Sequence, residues 1–153
     1  MKNIKRDLQI EQLDRKIKAF NKLEAFYPSY GWVYATRTAL GMSLEQLGKK
    51  LNITAQSVKE IEQREKEGTI SLKNLNDVAR ALGLKLTYGF SAPGKSLEKM
   101  IKSKAYDLAE KIVLRTHRTM QLEDQANSKT RLKKAIRARM EEILDKNIKH
   151  LWN

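Results

Sequence analysis

SLEQLGKKLNITAQSVKEIEQREKEGTISLKNL, Ser43–Leu75, decides the fold. Ser43 has Gln46 three positions on, the pattern of a capping box that starts a helix. Thr54 opens a second helix two residues after Asn52. So short a turn fits only two helices crossing steeply, the arrangement that pushes one helix into a DNA groove. With Leu44 as the first position, the fifth is Gly48, where the helices cross too closely for a large side chain. The ninth is Asn52, which turns the chain because Asn tolerates the left-handed conformation better than other side chains. Val58 and Ile61 form the apolar face that seats the second helix, matched by Leu47 and Leu51 on the first. The competing reading is an ordinary helical hairpin that touches no nucleic acid.

Working outward, Ile10, Leu13, Ile17 and Phe20 draw one apolar stripe along a predicted helix over residues 3–26, which Pro28–Gly31 interrupts. A DNA-binding domain of the five-helix type begins near Gly31. Trp32 to Leu40 form its first helix, closed by Gly41. Leu44–Leu51 and Ala55 to about Arg64 form the reading pair, and Glu65 to Ile70 a charged loop. Ser71 caps a helix whose Leu72, Leu75, Val78, Ala79 and Leu82 mark a buried stripe, ended by Gly83. Leu84 to Phe90 alternate in strand fashion, with Leu84, Leu86 and Tyr88 on one side. A lone strand needs a mate, so this one is expected to pair with a second copy or to lie along the core. After the linker Ser91–Gly94, Ser96 caps a long helix to about Met120. A last helix runs from Lys129 to Leu151, with Leu132, Ile136, Met140, Ile143, Leu144, Ile148 and Leu151 on its apolar side. The class is all-α.

Composition narrows the function. The 153 residues hold 31 Lys and Arg against 18 Asp and Glu, a net charge of +13 that attracts polyanions, nucleic acid or an anionic membrane surface. The C-terminal third is the most basic, with 15 bases and 8 acids over residues 94–153, either a solvated surface or a set of phosphate contacts. Cysteine is absent, no apolar run approaches a membrane span, and the N-terminus has no signal-peptide core. The expectation is a soluble, cytoplasmic protein. With only His117 and His150, no Gly-rich phosphate loop, no H-E-x-x-H and no nucleophile elbow, the chain is not expected to be an enzyme, nor to hold a metal or cofactor.

On the second helix of the pair, Ala55, Gln56, Lys59, Glu60 and Gln63 lie off the Val58/Ile61 seat and are the candidates for base edges. The Gln56 carboxamide suits adenine, Lys59 can donate to guanine, Glu60 can accept from cytosine and Ala55 offers a methyl to thymine. For each of them the plain alternative is solvent exposure. Phosphate contacts are expected from Ser43, Thr54, Ser57 and Arg64, and from the segment Thr69 to Ser71, with Lys49 and Lys50 as possible helpers. One such unit buries too little to bind tightly and selectively, so a homodimer reading half-sites about 34 Å apart in a palindromic operator is expected.

From Arg37 to Gly83 the sequence, through RTALGMSLEQLGKKLNITAQSVKEIEQRE and LNDVARALG, resembles the phage-repressor type of helix-turn-helix domain, the XRE or Cro/C1 family. That resemblance implies a lambda-repressor-like domain over 31–93, flanked by helical extensions over 1–30 and 94–153, with one short strand. It also implies a structural ion pair between Arg37 and Glu62. The family often has a phosphate-contacting Gln where Leu44 stands, and a basic loop where Glu67 stands.

A narrower resemblance spans nearly the whole chain. GWVYATRTALGMSLEQLGKKL, EKEGTISLKNL and THRTMQLEDQ together look like the bacterial family called mobile mystery protein A. The resemblance implies a gene beside one for a Fic-domain protein on a mobile element. This chain would then be the DNA-binding, nucleoid-associated autorepressor and antitoxin-like partner of a toxin–antitoxin-like pair, or else an adaptor that inhibits a Fic AMP-transferase without reading DNA. The Ser/Thr-x-x-x-Glu-Gly/Asn inhibitory motif common among small Fic inhibitors is absent, since Gln63 stands at its first position before Glu67-Gly68. His117, Glu123 and Asp124 in THRTMQLEDQ are off the spacing that brings ligands together on a helix. The segment reads first as a helix-ending turn and second as a docking surface for the Fic partner.

Overall fold

The computed structural model describes residues 3–23, 27–119, 128–146 and 148–153. Within them lie α1 (Ile4–Asn21), α2 (Trp32–Ala39), α3 (Leu44–Leu51), α4 (Ala55–Glu67), α5 (Leu72–Ala81), α6 (Leu97–Thr119), α7 (Ser128–Lys146) and a 3-10 helix, η1 (Ile148–Trp152). No strand occurs among the described residues, and the fold is all-α.

The chain divides into two compact units, residues 22–90 and residues 1–21 with 91–153. Unit 22–90 is built on one fully or nearly buried residue from each of four helices: Val33 of α2, Leu47 of α3, Val58 of α4 and Val78 of α5. Met42, Leu44, Leu51, Ile61, Leu75, Ala81 and Leu82 pack round them. Burial of each such side chain contributes about 1.5–3 kcal/mol, so the small core is the main force holding the helices in place.

Local chemistry sets each boundary. The Ser43 hydroxyl accepts from the Gln46 amide at 3.1 Å, and the Gln46 carboxamide oxygen accepts from the Ser43 amide at 2.8 Å, so the capping box is complete. Asn52 ends α3 in the left-handed region, φ 55° and ψ 41°. The Thr54 hydroxyl caps α4 by accepting from the Ser57 amide, and Ser71 caps α5 by accepting from the Asn74 amide. A Cβ on Gly48 would stand 2.6 Å from the carbonyl oxygen of Ile53. What excludes a side chain there is the backbone of the turn folding back, rather than the facing helix.

The unit departs from the sequence-based expectation in three places. α4 runs on to Glu67, so Glu65 is helical and not part of a loop. Gly68, at φ 75°, ends the helix. The described part of the unit holds the four helices that the sequence located one by one, short of the five of the expected domain type, and residues 84–90 follow α5 without helix, turn or bend. Those residues are not a strand either: beyond the Leu84 amide, which bonds to the Ala79 carbonyl as a helix end, no described backbone group pairs with Lys85–Phe90. A strand needs a ladder partner, and this unit supplies none.

The other unit is an antiparallel pair of long helices, α6 and α7, with α1 and η1 against them. Its core is Ala105 and Ala109 of α6 with Ile136 and Ile143 of α7 and Leu151 of η1. The two alanines, four apart on one face and wholly buried, let the helix axes approach closely. The predicted last helix stops at Lys146, and the apolar stripe continues into η1 through Ile148 and Leu151. Segments 1–21 and 91–153 therefore lie in one unit. Two polar residues of α1 tie them: the Asp14 carboxylate accepts from the amides of Leu97 at 2.7 Å and Glu98 at 3.2 Å, and Asn21 accepts from Ala92 at 2.6 Å. Ser96 adds the local cap, accepting from the Lys99 amide. His117 lies half-buried in α6, while Glu123 and Asp124 fall outside the described residues.

Candidate nucleic-acid interface

The thirteen residues of α4 divide between an inner and an outer face. Val58, Glu62 and Glu65 are buried, at 3–4 residue spacing, and Gln56, Lys59, Glu60, Gln63 and Arg64 are exposed. Ala55 and Ser57, at the entry to the helix, are half-buried.

The outer residues differ in what they already hold. Gln63 donates from its carboxamide to Glu67 at 2.6 Å, one turn on. Glu60 stands 3.8 Å from Arg64 in an exposed i, i+4 pair, an interaction that contributes little in water. The hydroxyls of Thr54 and Ser57 share a hydrogen bond of 2.9 Å beside the cap, so each is fixed at the helix N-terminus. Gln56 and Lys59 have no hydrogen bond or ion pair within the described chain. These two can meet a base edge without surrendering a bond first. Ser43 sits at the N-terminus of α3 with its hydroxyl engaged in the capping box. Thr69 and Ser71 stand between α4 and α5, the Thr69 hydroxyl 3.4 Å from the Arg64 carbonyl oxygen.

The inner face is fixed by two carboxylates. Arg37 Nε donates to Glu62 at 2.5 Å and Arg37 Nη2 to the other carboxylate oxygen at 3.3 Å, while Nη1 donates to the Met42 carbonyl at 2.8 Å. The fork ties α4 to α2 and to the loop before α3, and both partners are 9% exposed. Bidentate geometry of this kind fixes orientation as well as distance.

Glu65 is the residue that sequence reasoning missed. It is 5% exposed, and its two carboxylate oxygens accept from the backbone amides of Trp32 at 2.7 Å and Val33 at 2.9 Å. These are the first amides of α2, whose own N-cap, Gly31, makes no side-chain bond. A carboxylate from the third turn of α4 thus caps α2 across the unit and meets the positive end of its dipole. Gly31, at φ 89°, leaves it room, since a Cβ there would come within 2.8 Å of Glu65 Cδ. The signal in the sequence was the i, i+3 step from Glu62 to Glu65, continuing the buried face of α4.

Beside this cap, Tyr27, Tyr30, Trp32 and Tyr34 are all 40% exposed or more. Tyr27 meets Trp32 edge to face at 6.4 Å, and Lys66 lies 5.4 Å over the Tyr30 ring. Desolvation raises the Tyr27 hydroxyl pKa above its ordinary 10.0, and the negative charge of Glu65 adds to the rise.

Among the described residues no three His, Cys, Asp or Glu side chains come together as metal ligands, and no helix is long and apolar enough to cross a membrane. Comparison with curated proteins found no match, and comparison with solved structures found none. Residues 33–89, which take in α2 to α5 and most of the non-helical run after them, match the helix-turn-helix family HTH_3, so over this stretch the chain is similar to a helix-turn-helix domain.

Proposed function

We propose that the chain is a sequence-specific DNA-binding transcriptional regulator that acts as a dimer on a palindromic operator and represses its own gene. The observation that carries this reading is the outer face of α4, where Gln56 and Lys59 are exposed and unengaged on a helix anchored by Val58, Glu62 and Glu65. The net charge of +13 supports it, since phosphate contacts supply most of the affinity of such proteins. Ala55, Gln56, Lys59, Glu60 and Gln63 read base edges, with Gln56 and Lys59 foremost. Ser43, Thr54, Ser57, Arg64, Thr69 and Ser71 hold register on the phosphates through hydroxyls, charge or adjacent amides.

The test is a mobility-shift assay on DNA from upstream of the chain's own gene. Selective retardation that weakens steeply with salt is expected, and Gln56→Ala should lower affinity by about 1–3 kcal/mol and relax preference at one base pair. Equal binding to unrelated DNA, or unchanged base preference in Gln56→Ala, would remove α4 from sequence readout.

A second reading, an adaptor or antitoxin-like partner of a Fic-domain protein, is favoured by the exposed Tyr27, Tyr30, Trp32 and Tyr34. An exposed aromatic cluster of this kind suits a protein partner. Co-purification with the neighbouring Fic-domain protein, lost on Trp32→Ala, tests it; association untouched by that change would refute docking there.

A further inference from the structure

α7 carries its charge in an order that opposes the helix itself. Residues 128–140 hold six bases, Lys129, Arg131, Lys133, Lys134, Arg137 and Arg139, and no acid. The three acids of α7, Glu141, Glu142 and Asp145, all fall in its last six residues, beside Lys146. A helix is stabilised by acids near its N-terminus and bases near its C-terminus, where they meet the macrodipole. Here the greater part of the charge is reversed. Lys129, Lys133 and Arg137 also stand at i, i+4 spacing, and Arg131, Lys134 and Arg137 at i, i+3, so like charges crowd one another. A face that merely kept the helix in water could carry either sign at each position, so solvation alone does not account for this order.

Nothing in the described chain relieves the crowding. Lys129, Arg131, Lys133, Lys134 and Arg137 are exposed, and among the described residues their side chains make no hydrogen bond or ion pair. Arg139 is the exception, paired with Glu142 at 2.6 Å. We infer that the exposed face of the N-terminal half of α7 is a second phosphate-binding surface, which takes the backbone of duplex DNA outside the helix-turn-helix unit. The choice of DNA rests on the DNA-binding reading; the need for a polyanion does not.

The chemistry of the face separates duplex from other polyanions. An anionic membrane takes up helices that lay an apolar side into the lipid beside their bases. The apolar side of α7, with Leu132, Ile136, Met140 and Ile143, packs in the core against α6, and α7 has no large apolar side chain exposed. Single strands are held by aromatic rings on which bases stack, and residues 128–146 have none. A bare row of cations suits duplex phosphates. From Lys129 to Arg137 the row covers about 12 Å of helix axis, the reach of roughly three to four phosphates of one strand. Contacts of this kind add affinity without choosing sequence, which is left to α4.

The test is the salt dependence of binding by the full chain to two duplexes, DNA from upstream of its own gene and a random sequence of equal length. Each neutralised phosphate contributes roughly 0.9 to the steepness of log affinity against log salt. Lys133→Gln/Lys134→Gln/Arg137→Gln should reduce that steepness by about 2.7 on both duplexes alike, so a fourfold rise in salt lowers its affinity by about fortyfold less than that of wild type. Lys133→Arg/Lys134→Arg/Arg137→Lys should keep the wild-type slope. Lys5→Gln/Lys16→Gln/Lys99→Gln removes the same charge at exposed positions elsewhere and should change the slope by less than about 0.9. With its repulsion removed, the α7 glutamine variant should melt no lower than wild type at low salt.

An unchanged slope in the α7 glutamine variant, or an equal fall in the control, would overturn the proposal. So would a variant that loses binding to phosphatidylglycerol vesicles while its DNA binding is unaltered. An unchanged slope with preference for the upstream duplex intact would leave α4 as the reader and remove α7 from DNA. A slope that falls as expected, in a protein that binds both duplexes equally, would keep the α7 surface and sink sequence reading by α4.

Discussion

Replacing Glu65 tests whether α2 and α4 are held together by a cap that α4 lends to α2. α2 is only eight residues long and Gly31 offers it no side-chain cap, so its first two amides depend on one carboxylate. Glu65→Ala leaves the buried Val33 amide and the Trp32 amide without a partner and removes the charge from the helix dipole. A hydrogen bond to a charged group contributes about 1.5–3 kcal/mol, and an unsatisfied buried donor costs about 1–3 kcal/mol. An ordinary N-cap replaced by Ala costs about 0.5–2 kcal/mol, which sets the floor. For two amides and a 5%-exposed carboxylate, a loss of about 3–4 kcal/mol follows. Glu65→Gln keeps one acceptor oxygen but turns an NH2 toward the second amide, so about half that loss is expected. The assay is urea unfolding followed by tryptophan fluorescence in a Trp152→Phe background, which leaves Trp32 at the start of α2 as the only reporter. The midpoint should fall in the order wild type, Gln, Ala at constant slope. A Glu65→Ala protein within about 1 kcal/mol of wild type would refute the reasoning, because it would fall at the level of a solvent-exposed cap.

Three other perturbations probe the same unit. Gly48→Ala places a Cβ 2.6 Å from the Ile53 carbonyl oxygen, which is backbone and cannot swing aside; a loss of about 1–3 kcal/mol and weakened operator binding are expected, and an unaltered melting curve would contradict this. Arg37→Met and Glu62→Leu should each cost about 3–5 kcal/mol alone and much less than their sum together, because each single change strands a buried charge; additivity in a double-mutant cycle would refute the coupling. Tyr27 should titrate above its ordinary 10.0 by ultraviolet absorbance. The folded state prefers the neutral phenol, so its contribution to stability is present below the unfolded pKa and lost as pH rises through the higher folded one. Glu65→Gln should lower that midpoint only in part, since desolvation is the larger cause. A full return to the ordinary value would reverse the ranking.

What the sequence carried well was whatever depends on neighbours in the chain. Ser43 with Gln46, Thr54, Ser71 and Ser96 are caps whose bonds close within three residues, and Asn52 turns the chain by its own tolerance of positive φ. The core positions Leu47, Val58 and Val78 follow from helical period. Arg37 and Glu62 meet across 25 residues, but only a family resemblance pointed to them. Features that depend on distant partners were hidden. Glu65 looked like loop because charge predominates from 62 to 67, yet the amides it serves lie 32 and 33 residues away. Asp14 likewise caps α6 from 83 residues away. The run 84–90 has the alternation of a strand, but alternation describes faces and cannot supply the ladder partner that makes a strand.

The two ends of α4 serve different masters, and this division leaves its outer face open for the proposed DNA reading. From Glu62 onward the buried side chains of α4 are carboxylates spent on Arg37 and on the amides of α2. Before Glu62 the buried contact is apolar, through Val58, and the outward residues Gln56 and Lys59 are free. An apolar contact alone fixes the helix against the core but resists rotation about its own axis poorly, since hydrophobic burial is non-directional. A bidentate ion pair and a two-amide cap are directional, and both act at the end away from the free residues. They therefore set the rotation of α4 without occupying its outer face. If α4 reads DNA as proposed, Glu62 and Glu65 would govern base preference without touching DNA. Glu65→Gln, measured at a temperature where it is still folded, should broaden operator preference more than Lys49→Ala, a change on the exposed surface of α3.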